Sequence, residues 1–172
     1  EASIMDIYTL ETSRFRLRVT PQSAAILSFD DLDGGREILR AYQENTGWHP
    51  GESALFPMLP VANRVRDNRF RLGEREVCLP DSSLDPMFFL HGDGWLQRWQ
   101  LQDLSVNHIA LGLRVQHDCG FDYSALLVYR LSDEGLTAHL TLRHCGTEPM
   151  LYGVGFHPFF VKTSQTQIQF FS

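Results

Sequence analysis

Three segments hold residues whose types and spacing suit acid–base chemistry on a polar organic ligand. The first is Tyr152–Lys162, where His157 stands between Phe156 and Pro158 in an aromatic run. A proline biases the residue before it towards extended backbone, and its missing N–H fits a sheet edge or a strand end. His157 is therefore expected at the rim of a sheet, with Phe156, Phe159 and Phe160 around it. Burial lowers a histidine's pKa and a neighbouring carboxylate raises it. A histidine poised near neutrality is what general acid–base work needs. The competing reading of His157 is a core histidine hydrogen-bonded to backbone.

The second segment is Phe88–Leu101, in which His91 follows an apolar stretch and precedes Gly92-Asp93-Gly94. Glycines let backbone approach a ligand closely. Trp95 and Trp99 offer flat apolar faces that suit the C–H faces of a sugar ring, and both also read as core. The third is Leu55–Leu72, where Pro57 and Pro60 lead into Asn63-Arg64. Arginine presents several donors in fixed geometry, suited to neighbouring hydroxyl oxygens. Arg66 and Arg69 read instead as surface ion pairs with Asp67. Asp67 and Asp93 are the acids inside these segments, and nothing marks them as the carboxylate pair, about 5–10 Å apart, of glycoside hydrolysis. A metal site from His91, His157 and His49 or His108 lacks a closely spaced ligand pair, so no metal is expected. His117, His139 and His144 are expected to be solvated.

The elements that must position these residues repeat with period two, the mark of strands. Phe15, Leu17 and Val19 alternate with Arg16 and Arg18, and Phe70 and Leu72 with Arg69 and Arg71. Leu136, Ala138, Leu140 and Leu142 alternate with Thr137, His139, Thr141 and Arg143, and they follow Leu126–Leu131 across Ser132-Asp133-Glu134-Gly135. That is a hairpin signal. Thr166–Ser172 alternates like one more strand and stops without a turn. Asp33–Tyr42 has room for a turn or two of helix, weakened by Gly34-Gly35. Gln43–Ala54 is a long polar loop with Trp48 and His49, and such loops often carry function. Many short strands with Gly and Pro turns predict an all-β antiparallel sandwich.

Composition narrows the partners. The chain has 172 residues, 43% hydrophobic, with a net charge of −6 and no basic run. Phosphate binding needs clustered positive charge, so nucleic acid is not expected. No stretch approaches the roughly 20 apolar residues of a membrane helix. Cys78, Cys119 and Cys145 are an odd, widely spaced set, read as reduced thiols in the cytoplasm.

The order PxxPxxNR, LHGxGWxxxW, hairpin, GxGFHPFF resembles the galactose mutarotase, or aldose 1-epimerase, family, over nearly the whole sequence. The resemblance implies a galactose mutarotase-like supersandwich and a cofactor-free isomerase that interconverts α and β anomers of a hexose. It makes His157 the acid at the ring oxygen and His91 a second catalytic group near the reacting centre. Arg64, Asn63, Trp95 and Phe160 become substrate-binding residues. The family's base is a glutamate well downstream of its HPFF-like motif, and no Asp or Glu follows His157 here. Residues 1–172 are thus expected to be the N-terminal portion of one such domain. A sandwich lacking later strands exposes edges, so the chain is expected to be unstable alone or to pair as a homodimer. The alternative is a carbohydrate-binding protein on the same scaffold, without catalysis.

Overall fold

The computed structural model describes residues 5–44 and 47–171. Two antiparallel sheets form most of it. The first contains β1 (Tyr8–Glu11), β2 (Phe15–Thr20), β3 (Ala25–Asp31), β4 (Arg36–Leu39), β5 (Leu55–Met58) and β12 (Gly155–Pro158). Its order is β1-β2-β3-β5-β12, with β4 also on β3. A separate hairpin joins β6 (Arg69–Leu72) to β7 (Arg75–Cys78). The second sheet has the order β11-β10-β9-β8, made of β8 (Gln100–Leu104), β9 (His108–Gln116), β10 (Asp122–Ser132) and β11 (Gly135–His144).

Alternation decides which way each strand faces. On β2, Phe15, Leu17 and Val19 are buried, while Arg16 is exposed. On β10, Tyr123, Ala125, Leu127, Tyr129 and Leu131 point inward and Leu126 and Arg130 outward. These rows meet Ile109 and Leu111 of β9 and Ile26 of β3 in one apolar core. Burying each such aliphatic side chain contributes about 1.5–3 kcal/mol. β10 and β11 are joined across Ser132–Gly135, and the register runs from Ser132↔Gly135 to Tyr123↔His144, so the predicted hairpin is present. A buried polar contact joins the second sheet to the first: the Tyr129 hydroxyl donates to the carbonyl of Ala24, just before β3, at 2.6 Å.

Two expectations fail. Asp33–Tyr42 holds strand β4 and no helix. Gly34 (φ 98°) and Gly35 (φ 63°) supply left-handed backbone between β3 and β4, and the turn lets Ile38 and Leu39 pack inward. Thr166–Phe171 forms no strand, and Ser172 lies outside the described residues. Ile168 is 71% and Phe170 86% exposed: alternation marks a potential strand, but a strand needs a neighbour to receive its hydrogen bonds. The Gln43–Ala54 loop, of which Asn45 and Thr46 lie outside the described residues, packs on itself. Tyr42 and Trp48 rings meet at 5.2 Å, and the Tyr42 hydroxyl donates to Gly47. Among the described residues no helix is long and apolar enough to cross a membrane, and Cys78, Cys119 and Cys145 are free thiols.

Tyr129→Phe removes the one donor that the Ala24 carbonyl receives from the facing sheet. Leaving a buried acceptor unpaired costs about 1–3 kcal/mol. The expected result is a lower urea midpoint with an unchanged slope. An unchanged midpoint would show that the bond contributes nothing.

Candidate functional site

The site is built where β5 leaves the first sheet. Leu59 and Pro60 follow β5, joined by a cis peptide bond, and the His91–Gly94 segment lies against them. Gly94 N–H donates to the Leu59 carbonyl at 3.0 Å. A Cβ on Gly92 would stand 2.1 Å from that carbonyl oxygen, and one on Gly94 would stand 2.3 Å from Leu59 Cδ2. The glycines thus serve protein–protein contact, where the sequence suggested ligand contact. From the far side, Gly153 N–H donates to the Pro60 carbonyl at 2.8 Å.

This contact brings Asn63 to His91. The two residues clasp each other: His91 N–H donates to the Asn63 carbonyl at 2.9 Å, and Asn63 N–H donates to His91 Nδ1 at 3.0 Å. Both have left-handed backbone, with φ of 60° and 57°, a conformation that Asn tolerates and that clusters at functional sites. Because Nδ1 accepts, neutral His91 carries its proton on Nε2, which is then a donor. It is the Asn63 backbone that orients His91, while its side chain is exposed.

His157 arrives by strand pairing. β12 runs antiparallel to β5 with His157 opposite Phe56, and directly opposed residues put their side chains on one face. The His157 and Phe56 rings stack at 4.8 Å with 17° between planes. Phe56 also stacks on Trp95 at 4.6 Å. His91 meets His157 edge-on at 5.5 Å and Trp95 at 5.5 Å. Phe159 packs on His157 at 4.7 Å, and the Arg40 guanidinium covers Phe159 at 4.0 Å. Arg40 is itself pinned by the Gly51 and Ser53 carbonyls, each at 2.9 Å. His157 Nδ1 is shut off from solvent with no hydrogen-bond partner. The reading of His157 as a core histidine bonded to backbone therefore does not hold at Nδ1.

Charge follows from these neighbours. Burial first, then His157, then Arg64 hold the His91 pKa below the ordinary histidine value. Arg64 is exposed and held by Asp85 at 3.3 Å, near the Phe88 ring. The Asp85 carboxylate is kept below the usual range by the Met87 N–H, then the Phe88 N–H and Arg64, against burial. Arg66 lies 3.9 Å from Asp67 as expected, but Arg69 pairs with Glu76 across the β6–β7 hairpin.

His91, His157, Asn63 and Arg64 thus converge. Trp95 and Trp99 are 3% and 1% exposed. Trp95 offers no face to a ligand; it supports Phe56 and His91. Phe160 is 60% exposed and lines a depression with Pro158, Ile168 and Phe170, outside the ring cluster. Phe159 stands beside His157 as expected; sequence reasoning missed Phe56, Arg40 and Asp85. It also missed Asn68, which accepts from Phe89 N–H at 2.8 Å and donates to Leu79 and Pro80. Asp85-Pro86 was a readable signal, since Asp commonly bonds the backbone two residues on; the others depend on pairing across distant strands. Among the described residues no group of three His, Cys, Asp or Glu is placed to hold a metal ion.

Gly92→Ala tests the foundation of the site. It places an L-residue at φ 68°, which alone costs about 1–2 kcal/mol, and drives a methyl into a backbone oxygen. A urea midpoint lowered by more than that penalty is expected, with loss of the His91 imidazole signal typical of a bonded Nδ1. A variant as stable as the parent would mean that the contact is looser than described.

Comparison with known proteins agrees with this arrangement. The aldose 1-epimerase family model matches residues 6–172. The uncharacterized protein YphB of Escherichia coli (strain K12) is 33% identical over 166 residues, covering 96% of this chain and 55% of that protein. A crystal structure of an Escherichia coli K12 protein provisionally described as an aldose 1-epimerase superposes with a TM-score of 0.85 at 31% identity, covering 94% of this chain and 54% of the other. A galactose mutarotase-like protein of Clostridium acetobutylicum shares the fold at a TM-score of 0.79 and 18% identity, covering 92% and 51% of the two chains. The chain spans about half the length of the relatives it matches. With its antiparallel sheets and its paired histidines in the order described, the chain belongs to the aldose 1-epimerase family.

Proposed function

We propose that the site binds a hexose and interconverts its α and β anomers. The observation that carries this reading is the pair of imidazoles 5.5 Å apart, each with Nδ1 unavailable and Nε2 left as the working nitrogen. The His157 imidazolium gives its Nε2 proton to the ring oxygen and is left neutral. A base takes the proton of the C1 hydroxyl, the bond between C1 and the ring oxygen breaks, and the open aldehyde forms. Rotation about C1–C2 and reclosure, with both protons returned, yield the other anomer. His91 Nε2–H donates to a sugar oxygen beside the reacting centre, and Arg64 to a hydroxyl. Phe56 and Phe159 keep the acid in an apolar setting, where a fixed donor acts more strongly than in water. The second reading is a site on the same scaffold that binds a hexose without isomerising it.

Magnetisation-transfer NMR between the anomers of glucose and of galactose separates the two. Faster exchange with the chain, and a loss of about 10²–10⁴-fold in His157→Ala, is the result expected of a positioned acid. Anomer signals that broaden without exchanging would establish the binding reading. Signals that neither broaden nor exchange would sink both.

The pH dependence has a defined sign. Neutral His91 is the donor, and its depressed pKa means that this form is complete above the ordinary value of 6.5. As pH falls through the lower folded-state pKa, protonation sets an N–H against Asn63 N–H and breaks the clasp. The rate kcat/KM for anomer exchange is therefore expected to fall on the acid side, below about pH 6.5. A flat acid limb would remove His91 from the chemistry.

A further inference from the structure

The histidine cluster is not the whole of the titratable chemistry near the site. Asp93 sits two residues after His91 and begins the 3-10 turn Gly94–Leu96, yet its side chain makes no capping bond there. It turns the other way. Asp93 Oδ2 lies 2.9 Å from His117 Nε2, with Gln97 Nε2 at 3.4 Å. Asp93 Oδ1 is buried with no hydrogen-bond partner. His117 follows β9, in the second sheet, and is held edge-on by Phe89 at 5.7 Å and Phe121 at 6.4 Å. The expectation that His117 is solvated is wrong: hydrophobic neighbours grip it and a carboxylate faces it.

We propose that the Asp93–His117 pair positions the sugar site, tying the loop that carries His91 to the second sheet so that protonation of His117 tightens the geometry of His91. This rests on the hexose reading of the site. The reasons are structural. The glycines on either side of Asp93 fix the loop to Leu59 on one face, and Asp93 is the side chain that reaches from the loop to the opposite sheet. Its carboxylate has given up water at Oδ1, so the strength of its remaining contact matters. When His117 is protonated the 2.9 Å contact is an ion pair in a partly buried setting; when it is neutral that attraction is lost, and Nε2 has no aligned hydrogen-bond partner to replace it.

Charges around His117 do not obscure this. Asp118 lies in its own turn, Tyr123 faces Asp93 from β10, and Arg75, Asp122 and Glu148 line the adjoining surface depression. Asp93 dominates: its carboxylate oxygen, 2.9 Å from Nε2, raises the His117 pKa above the ordinary value, against burial, with Asp118 adding less. His91 is shifted the opposite way. The two titrations therefore separate, and one can be watched while the other is complete.

Histidine side-chain nitrogen NMR of the full chain across pH is the test. As His117 loses its proton, at a pH where His91 is already neutral, the His91 Nδ1 signal is expected to move. In D93N that movement disappears while His91 still titrates by itself. In anomer exchange, KM for the hexose is expected to rise about fivefold over the same interval, the low end of coupling between sites, with kcat changing less. His91 nitrogens that ignore the His117 titration would overturn the proposal. Should D93N not fold, H117Q replaces it. That variant is expected to hold the His91 signal at its high-pH position throughout the interval, and a signal that still moves there would equally overturn the proposal. A chain that exchanges no anomers removes the catalytic reading, and the nitrogen shifts still decide this one.

Discussion

The site depends on a contact with no room in it. His91–Gly94 lies so close to Leu59–Pro60 that a methyl at Gly92 would overlap a carbonyl oxygen. That approach is what allows the backbone of Asn63 to reach the ring and the N–H of His91. From it follow the orientation of the imidazole, its tautomer and its proximity to Arg64. If the segment stood off by the width of a side chain, the hydrogen bonds at 2.9 and 3.0 Å would be lost. The left-handed backbone at Asn63 and His91 would then have nothing to hold it. Strain of this kind persists only where surrounding structure over-determines it, and two glycines against one peptide do so here.

The second requirement is aromatic. Phe56 is in stacking range of both His157 and Trp95, and Phe159 adds another face to His157. Two imidazoles at 5.5 Å in such surroundings resist being charged together. Burial, then His157, therefore hold the His91 pKa below the ordinary histidine value. Arg40 belongs to the same arrangement. Its charge sits on the Phe159 face and is held by the Gly51 and Ser53 carbonyls, so it supports the ring that packs on His157.

Much of this was legible in the sequence, for physical reasons. Period-two burial is a local property, so β2, β6, β10 and β11 could be read from their own residues. Pro158 alone predicts extended backbone at His157, and the structure puts that residue in β12. Asn63-Arg64 and His91 also stand where their motifs suggested, on neighbouring turns. What escaped depends on tertiary partners. A strand of four residues such as β4, behind two glycines, has too few positions to show a period. Thr166–Phe171 shows the period but pairs with no strand among the described residues. Trp95 looked like a platform because an indole is the same residue whether Phe56 covers it or not. His117 looked solvated because its carboxylate comes from another element. Pairings across the fold are invisible to local pattern, and sites are made of them.

His157 illustrates how far that dependence goes. It reaches Phe56 only when β12 adds to β5, a contact between residues far apart in sequence. Closing such a loop costs chain entropy before any contact repays it, so the site cannot form ahead of the sheet. β12 ends the order of the first sheet, and an edge strand ordinarily invites another chain to pair with it. Pro158 answers both needs. It holds His157 extended for pairing with β5, and it removes a backbone N–H from the strand. The same residue that makes the histidine readable in the sequence is thus part of what holds it opposite Phe56 in the fold.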